Sequence, residues 1–269
     1  MAESDELTDL VNRSGFPLQI GVAAAVRRSN YRHGWEVLYS EHSWKNSNDE
    51  SSGFLDLVLA DAFGTNFISV ECKRVLESSW VFLISDPERM MERRHAKAWV
   101  TRYSNNFVTQ VGWTDVSLNP TTPQSSYCVI PGQDAKTRPL IERVGAELVR
   151  ASEGLAAEIA RVQVYRQEGV RLVFNMIVTT ARLQVCVFSG DAISLNDGKI
   201  TNAGYREVPY LRFRKQLSAR LPGAPSSSWP SASELAHAKD QTVFVVTAEH
   251  LEDFLHHFGV DARALQRVE

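Results

Sequence analysis

The chain has 269 residues, of which 43% are hydrophobic and 23% are charged, and its formal net charge is −3. These are the values of an ordinary folded protein, and they exclude a broadly basic protein that coats nucleic acid. The sequence has no apolar run of about 18 residues, and "MAESDELTDL" lacks the apolar segment of a signal peptide. Three widely spaced cysteines without a C-x-x-C pair favour neither a zinc ribbon nor a disulfide framework. We therefore expect a cytoplasmic protein with no membrane partner.

The first elements predicted along the chain are a helix and a strand. Pro17 suits a first helical turn, and apolar residues at steps of three and four predict a helix over 17–28. Gly34 then ends this segment. The sequence "WEVLYSEHSW" at 35–44 alternates like a strand, and the polar residues 45–53 predict a loop.

A β-hairpin is predicted next. The short apolar runs "FLDLVLAD" at 54–61 and "FISVECK" at 67–73 are joined by a turn through Gly64. The first run is interrupted by Asp56, and the second contains Glu71 and Lys73. Charged groups inside apolar strands are costly if they are buried, so their presence here needs a reason.

The remainder of the chain mixes strands and helices. An Asp-Pro pair predicts a helix over 86–99, and apolar residues at steps of three and four predict a long helix over about 137–162. A strand that feeds directly into a helix is predicted over 242–258, and a linker-like surface segment over 221–234. Further strands are predicted at 80–84, 127–130, 170–180, 183–188 and 208–213. The predicted class is α/β with a mixed sheet.

The hairpin carries the residues that indicate chemistry. Side chains alternate along a strand, so Glu71 and Lys73 share one face, and pairing within the hairpin brings Asp56 toward Glu71. Two close carboxylates repel each other unless a cation lies between them, and Mg²⁺ or Mn²⁺ prefers such oxygen ligands. The backbone carbonyl of Cys72 adds a third ligand. Lys73 would orient or deprotonate metal-bound water, or neutralise charge on a phosphate.

The order Asp56, 14 intervening residues, then Glu71-Cys72-Lys73 resembles the PD-(D/E)xK nuclease superfamily, which has the restriction-endonuclease-like fold. The resemblance covers roughly residues 15–100, in the order helix, strand, Asp strand, E-x-K strand, helix. It implies a restriction-endonuclease-like mixed sheet flanked by helices. Residues 127–258 would form a C-terminal α/β extension that completes or flanks this sheet, within a single domain over 1–269.

The resemblance also implies a function and partners. It implies a Mg²⁺- or Mn²⁺-dependent endonuclease that hydrolyses phosphodiester bonds, with DNA as the nucleic acid. Relatives often carry an acid or glutamine on the opening helix, so Gln19 is a candidate metal ligand. Members often dimerise, and bacterial members often serve in defence against foreign DNA. A homodimer and a defence-system partner protein are therefore expected.

Basic residues away from the hairpin are candidates for contacts with the nucleic-acid backbone, because phosphate contacts supply most of the affinity for nucleic acids. These candidates are Arg212, Arg214, Lys215, Arg93 and Lys97.

Three alternatives to a DNA nuclease stay open. One is an RNA-directed or structure-directed nuclease with the same site. Another is a non-catalytic interaction or sensor module that uses the nuclease fold. The third is a plain hairpin in which Glu71 and Lys73 form a surface ion pair worth about 0–1 kcal/mol.

Overall fold

The structure of the protein is a computed structural model that describes residues 2–76, 78–105, 107–133, 137–162, 168–218 and 231–261. It confirms the α/β class: a mixed, largely antiparallel sheet is flanked by helices. Within these ranges, no helix combines the length and apolar character needed to cross a membrane. The predicted linker at 221–234 lies outside the described residues as far as residue 230.

Helices cover both the amino-terminal region and the faces of the sheet. They are α1 (Ala2–Arg13), α2 (Phe16–His33), α3 (Pro87–Met90), α4 (Leu140–Ile159), α5 (Ala232–Lys239) and α6 (Leu251–His257). Pro17 lies in the first turn of α2, and Gly34 ends it with φ of 72°, donating its N–H to the carbonyl of Asn30. The helix predicted at 17–28 is therefore confirmed and continues for one further turn.

Each strand predicted from the sequence is present, and the described residues contain further strands that were not predicted. They are β1 (Trp35–Lys45), β2 (Ser52–Asp61), β3 (Asn66–Lys73), β4 (Ser79–Ile84), β5 (Arg93–Ser104), β6 (Phe107–Thr122), β7 (Gln124–Ser125), β8 (Cys128–Val129), β9 (Glu168–Thr179), β10 (Arg182–Val187), β11 (Gly204–Glu207), β12 (Tyr210–Gln216), β13 (Asp240–Thr247) and β14 (Gly259–Val260). The hairpin predicted around Gly64 is confirmed, since β2 and β3 pair antiparallel.

The main sheet follows the order β1-β2-β3-β9-β13-β12-β7. Strand β9 lies parallel to β3 along one edge, whereas its other edge pairs with β5 in its first half and with β13 in its second half. A smaller sheet has the order β11-β10-β4-β8. Strands from the second half of the chain therefore lie directly beside the hairpin that carries the charged residues.

Both faces of the main sheet are covered. Helix α4 and strands β4 and β10 pack on one face, and helices α2 and α6 pack on the other. Ile68 and Val70 of β3 face α2 and α6. On the α4 face, the Ser152 hydroxyl lies 2.8 Å from both the Ser69 hydroxyl and the side-chain oxygen of Asn175. This network fixes α4 over the strands that carry the candidate site.

The helix predicted over 86–99 is wrong beyond its first turn. Asp86 caps α3, but α3 ends at Met90, and β5 begins at Arg93. In β5 every second residue, Ala96, Ala98 and Val100, is buried against α2 and α6, which is the two-residue period of a strand. Pairing of β5 with β6 and β9 stabilises this conformation over the local helical signal.

A close approach between α4 and β1 gives a test of this packing. A Cβ atom at Gly154 would lie 2.9 Å from the backbone oxygen of Lys45, whereas a Cβ at Gly21 on α2 would meet nothing within 4 Å. We expect Gly154→Ala to lower the free energy of unfolding by about 1–3 kcal/mol, because backbone must move. Gly21→Ala, the matched control, should raise it by about 0.5–1 kcal/mol. Urea denaturation measures both, and equal effects would contradict this packing.

Candidate active site

The candidate site lies where β2 and β3 separate. Their ladder ends at the pair Leu57–Val70, so Asp56 and Glu71 come next in the register. Beyond this point the N–H of Cys72 faces no paired strand residue of β2, and it donates instead to Oδ2 of Asp56 at 2.6 Å. The carboxylate of Asp56 therefore closes a fork between the two strands, and the other carboxylate oxygen remains for a second interaction.

The predicted backbone ligand has a suitable direction. The N–H and C=O of one strand residue point toward the same neighbouring strand, so the carbonyl of Cys72 points into the fork, as its N–H does. The carbonyl of Lys73 points the other way and accepts from the Thr179 hydroxyl of β9 at 2.8 Å. Cys72 thus presents a carbonyl oxygen on the side of Asp56.

Glu71 and Lys73 lie together on the face covered by α4. The Nζ atom of Lys73 is 2.5 Å from Oε1 of Glu71, and the two side chains are 31% and 20% exposed, in that order. They are therefore half-buried, whereas a plain hairpin with a surface ion pair would leave both side chains fully solvated. One face of β3 holds an acid and an amine beside the fork.

Burial is the largest electrostatic effect on both acids at the fork. Burial raises the pKa of the Asp56 carboxyl, and the charges of Glu41 and Glu147 raise it further, against the opposing effects of the Cys72 N–H and Lys73. Burial also raises the pKa of the Glu71 carboxyl, and the charge of Asp56 is the next largest cause. The two carboxyls are thus close enough to repel each other, which is the condition under which a shared cation stabilises both.

Two acids near the fork were not found from the sequence. Glu147 is exposed on α4 and acts on both carboxyls, and Glu41 lies on β1 beside Asp56. Glu41 has a positive φ of 51°. No local motif joins these residues to the hairpin, since only the folded arrangement of α4 and β1 brings them near it.

Gln19 lies behind the fork. Its amide nitrogen donates to the backbone oxygen of Asp56 at 3.0 Å and to the carboxylate of Glu41. The side chain is buried, and these bonds tie α2 to β1 and β2. Gln19 thus positions the main chain of Asp56 here, and its role as a metal ligand stays a prediction.

The donor set can be compared with what metals require. In the part of the chain that the structure describes, no group of three or more His, Cys, Asp or Glu side chains is arranged to hold a metal ion. Mg²⁺ is commonly held by one or two carboxylates, with water and substrate phosphate filling the remaining positions. Two carboxylates and one backbone carbonyl therefore fit Mg²⁺ or Mn²⁺, and they do not fit a structural zinc site.

The structure corrects the expected role of Arg212 as a phosphate contact. This side chain is fully buried, and its guanidinium donates to the carbonyls of Pro120 and Leu118 and to the hydroxyl of Thr122. It also lies over the ring of Phe244 at 5.1 Å. Burial, with a smaller contribution from Arg93, lowers its pKa to about 9. Arg212 is an internal cation of the fold, out of reach of a nucleic-acid backbone.

Three further basic candidates are paired with acids of the protein. Arg214 donates twice to Asp115, at 2.7 and 3.1 Å, and Lys97 lies 3.0 Å from the same carboxylate. Lys215 lies 2.5 Å from Glu142. Arg93, the fifth candidate, is half-buried beside a separate cavity. In the described part of the chain none of these four side chains forms an ion pair with Asp56 or Glu71, and their role as phosphate contacts stays a prediction.

No protein-family model matches this chain, and searches of curated proteins and of solved structures also return no match. The interpretation of the fork therefore depends on its own geometry and charges.

The raised pKa values predict how stability depends on pH. In the folded state Glu71 holds its proton to a higher pH than in the unfolded state, so its contribution to the free energy of unfolding falls as pH rises above the ordinary carboxyl range. Glu71→Gln removes this loss. We expect the variant to gain stability relative to wild type between about pH 4 and neutrality.

Urea denaturation at several pH values measures this difference. Glu50→Gln is the control, since Glu50 is 72% exposed and paired with Lys45 at the surface. Parallel pH dependences of Glu71→Gln and wild type would contradict the electrostatic account of the fork.

Proposed function

We propose that the protein is a Mg²⁺- or Mn²⁺-dependent endonuclease that hydrolyses phosphodiester bonds in DNA. The observation that carries this proposal is the fork, where Asp56 and Glu71 meet beside the Cys72 carbonyl and the Lys73 amine. A homodimer and a defence-system partner stay predictions from the family resemblance, and a cytoplasmic location stays a prediction from the cysteine pattern and the N-terminal sequence.

The chain's own residues have separate roles in this proposal. Asp56, Glu71 and the carbonyl of Cys72 would hold the cation, and its charge would offset the burial and the repulsion from neighbouring acids that raise the pKa of each carboxyl. A bound divalent cation supplies an acidified water and offsets negative charge on the phosphate in the transition state. The Cys72 N–H donates to Oδ2 of Asp56 with no ligand present, so the fork already positions this carboxylate.

Lys73 would handle the proton and the charge. Its ammonium lies 2.5 Å from Glu71 and is 31% exposed, so it reaches the same face as the acids while staying open to a substrate. Bound there, it would orient the attacking water and neutralise the phosphate, or accept the proton of the water in its neutral form. The neighbouring carboxylate fixes the direction of this flexible side chain.

The order of elements supports a restriction-endonuclease-like core over its first four members. Helix α2, strand β1, the strand with Asp56 and the strand with Glu71 follow one another as the resemblance implies. After them the chain continues with strands β4 and β5 and only a four-residue helix between them. The proposal of this fold therefore rests on the segment from Phe16 to Lys73.

The same contacts also favour one rival, the non-catalytic module. The Cys72 N–H donates to Asp56, and the Lys73 amine donates to Glu71, so each acid already has a hydrogen-bond partner within the hairpin. Such pairs could serve a structural role alone. A purely structural pairing would not favour a second buried acid, however, because the charge of Asp56 disfavours the ionised form of Glu71. A cation site explains both acids, and we therefore prefer the nuclease.

Plasmid digestion tests the proposal. With Mg²⁺ or Mn²⁺ we expect nicking or linearisation of supercoiled DNA, and EDTA should abolish it. Lys73→Ala should slow cleavage by at least about 100-fold, because it removes the group that handles the proton. Asp56→Asn should do the same while keeping an oxygen that accepts from the Cys72 N–H.

Lys199→Ala is the matched lysine control, since Lys199 is 78% exposed and paired with Asp197 in a surface turn. Equal cleavage by Lys73→Ala and wild type would remove the catalytic claim. Cleavage of RNA but not DNA at the same salt would favour the RNA-directed alternative, and no cleavage of either would favour the non-catalytic module.

A further inference from the structure

Strand β2 reverses its faces at Asp56. Side chains two positions apart in a regular strand share a face, and those three positions apart lie on opposite faces. Leu57 packs in the core beneath α2 and α6, whereas Leu55, two positions away, packs in the core beneath α4 together with Val58. The alternation therefore breaks between Leu57 and Leu55, and Asp56 is the residue at the break.

Strand β1 reverses at the same level. The rings of Tyr39 and His42 are three positions apart, yet they stack with their centroids 4.5 Å apart. His42 lies 2.8 Å from the carboxylate of Glu158 on α4, so both rings lie on the α4 face. The register of β1 with β2 is the same before and after this stretch, which places Glu41 opposite Asp56. The two strands therefore reverse together at this pair.

Glu41 has a left-handed backbone conformation at the reversal, with φ of 51°. A left-handed residue within a strand bends and redirects that strand. Two other non-glycine residues of the described ranges, Glu50 and Asn105, also have positive φ, but both lie between strands. Positive φ is unfavourable for glutamate, so this conformation persists only where surrounding contacts hold it.

The contact that holds Glu41 is the amide of Gln19. This buried side chain of α2 donates to the carboxylate of Glu41 and, at 3.0 Å, to the backbone oxygen of Asp56. One amide group thus joins the two residues at which the strands reverse. It ties the reversal to a long helix that packs on the sheet.

The reversal determines where the Asp56 carboxylate points. In a regular strand this side chain would stand roughly perpendicular to the sheet, away from the backbone donors of the next strand. At the reversal it lies toward β3 instead, where Oδ2 accepts from the Cys72 N–H at 2.6 Å. The carboxylate therefore reaches the fork because β1 and β2 change faces at this level.

We propose that Glu41 is a positioning residue of the candidate site: its backbone conformation and its bond to Gln19 direct the Asp56 carboxylate into the fork. Glu41 acts through Asp56 rather than on the substrate. The consequence for cleavage rests on the proposed function, whereas the orientation of Asp56 does not and can be measured by itself.

The amide proton of Cys72 reports this orientation in nuclear magnetic resonance spectra, since a short hydrogen bond to a carboxylate moves such a proton far downfield. Glu41→Val should move it upfield toward the ordinary amide range, because a β-branched residue strongly disfavours positive φ and lacks the acceptor. Glu36→Val is the matched control, since Glu36 is exposed in the same strand, and it should leave the Cys72 proton unchanged.

Two further variants separate the bond to Gln19 from the charge of Glu41. Glu41→Gln keeps an oxygen that accepts from Gln19, so the Cys72 proton should stay downfield. Gln19→Leu removes the donor and should move the Cys72 proton upfield, which decides the matter where Glu41→Val does not fold. Far-ultraviolet circular dichroism checks folding. The amide proton of Val245 in β13 should stay in place in each folded variant, because only a general loosening of the sheet would move it.

An unchanged Cys72 proton in Gln19→Leu would overturn the proposal. Equal shifts in Glu41→Val and Glu36→Val would overturn it too, as would an upfield shift in Glu41→Gln as large as that in Glu41→Val.

Plasmid cleavage measures the consequence for the proposed function. Glu41→Val should lower kcat at least about tenfold and leave KM for DNA within about twofold of wild type, because a misplaced Asp56 affects the chemical step rather than DNA binding. Equal kcat values for Glu41→Val and Glu36→Val would contradict a positioning role in catalysis. Absence of cleavage by wild type would count against the proposed function alone, and the Cys72 proton would still decide whether Glu41 positions Asp56.

Discussion

The hydrogen bond from the Cys72 N–H to the Asp56 carboxylate is the interaction on which the candidate site depends. It takes the place of the backbone hydrogen bond that would continue the β2–β3 ladder. The two strands separate at this position, where Glu71 of β3 lies opposite Asp56 of β2. Without this hydrogen bond, Asp56 would be a half-buried charge with little compensation. With it, two acids are held near each other, and burial and repulsion between acids make their ionised forms less stable in the folded protein. A protein bears such a cost readily where function requires it.

The rest of the fold holds this fork rigid. Strand β3 is paired along its length with β9, and α4 packs over the same face through the contact of Ser152 with Ser69. Groups on paired strands are placed more reproducibly than groups on loops, as a site with fixed charges requires. The second half of the chain therefore contributes central strands of the sheet, and the hairpin alone would not define the geometry.

Local signals in the sequence were enough for the hairpin, for α2 and α4, and for the strand β13 that leads into α6. Their apolar periods, turns and end signals agree with the final structure. The segment after Pro87 was predicted as a helix because an Asp-Pro start is a strong local signal, whereas its conformation is set by pairing with β6 and β9. Strand β6 itself, Phe107–Thr122, was not predicted.

The candidate site was predicted only in part. Asp56, Glu71 and Lys73 could be selected from their spacing along one hairpin. Glu147 could not be found in this way, because only tertiary packing brings α4, on which it lies, close to the hairpin. The burial of Arg212 was equally hidden, since an alternating basic strand end is typical of a surface.

Binding of Mn²⁺ in the absence of substrate tests the central claim most directly. Electron paramagnetic resonance of free Mn²⁺ in a titration gives the number of ions bound per chain and their affinity. We expect one ion per chain, bound at least about tenfold more weakly by Asp56→Asn and by Glu71→Gln, because each variant lacks one of the two carboxylate ligands. Glu50→Gln should bind as wild type does. Binding that is absent in wild type, or equal in all four proteins, would contradict a shared cation at the fork.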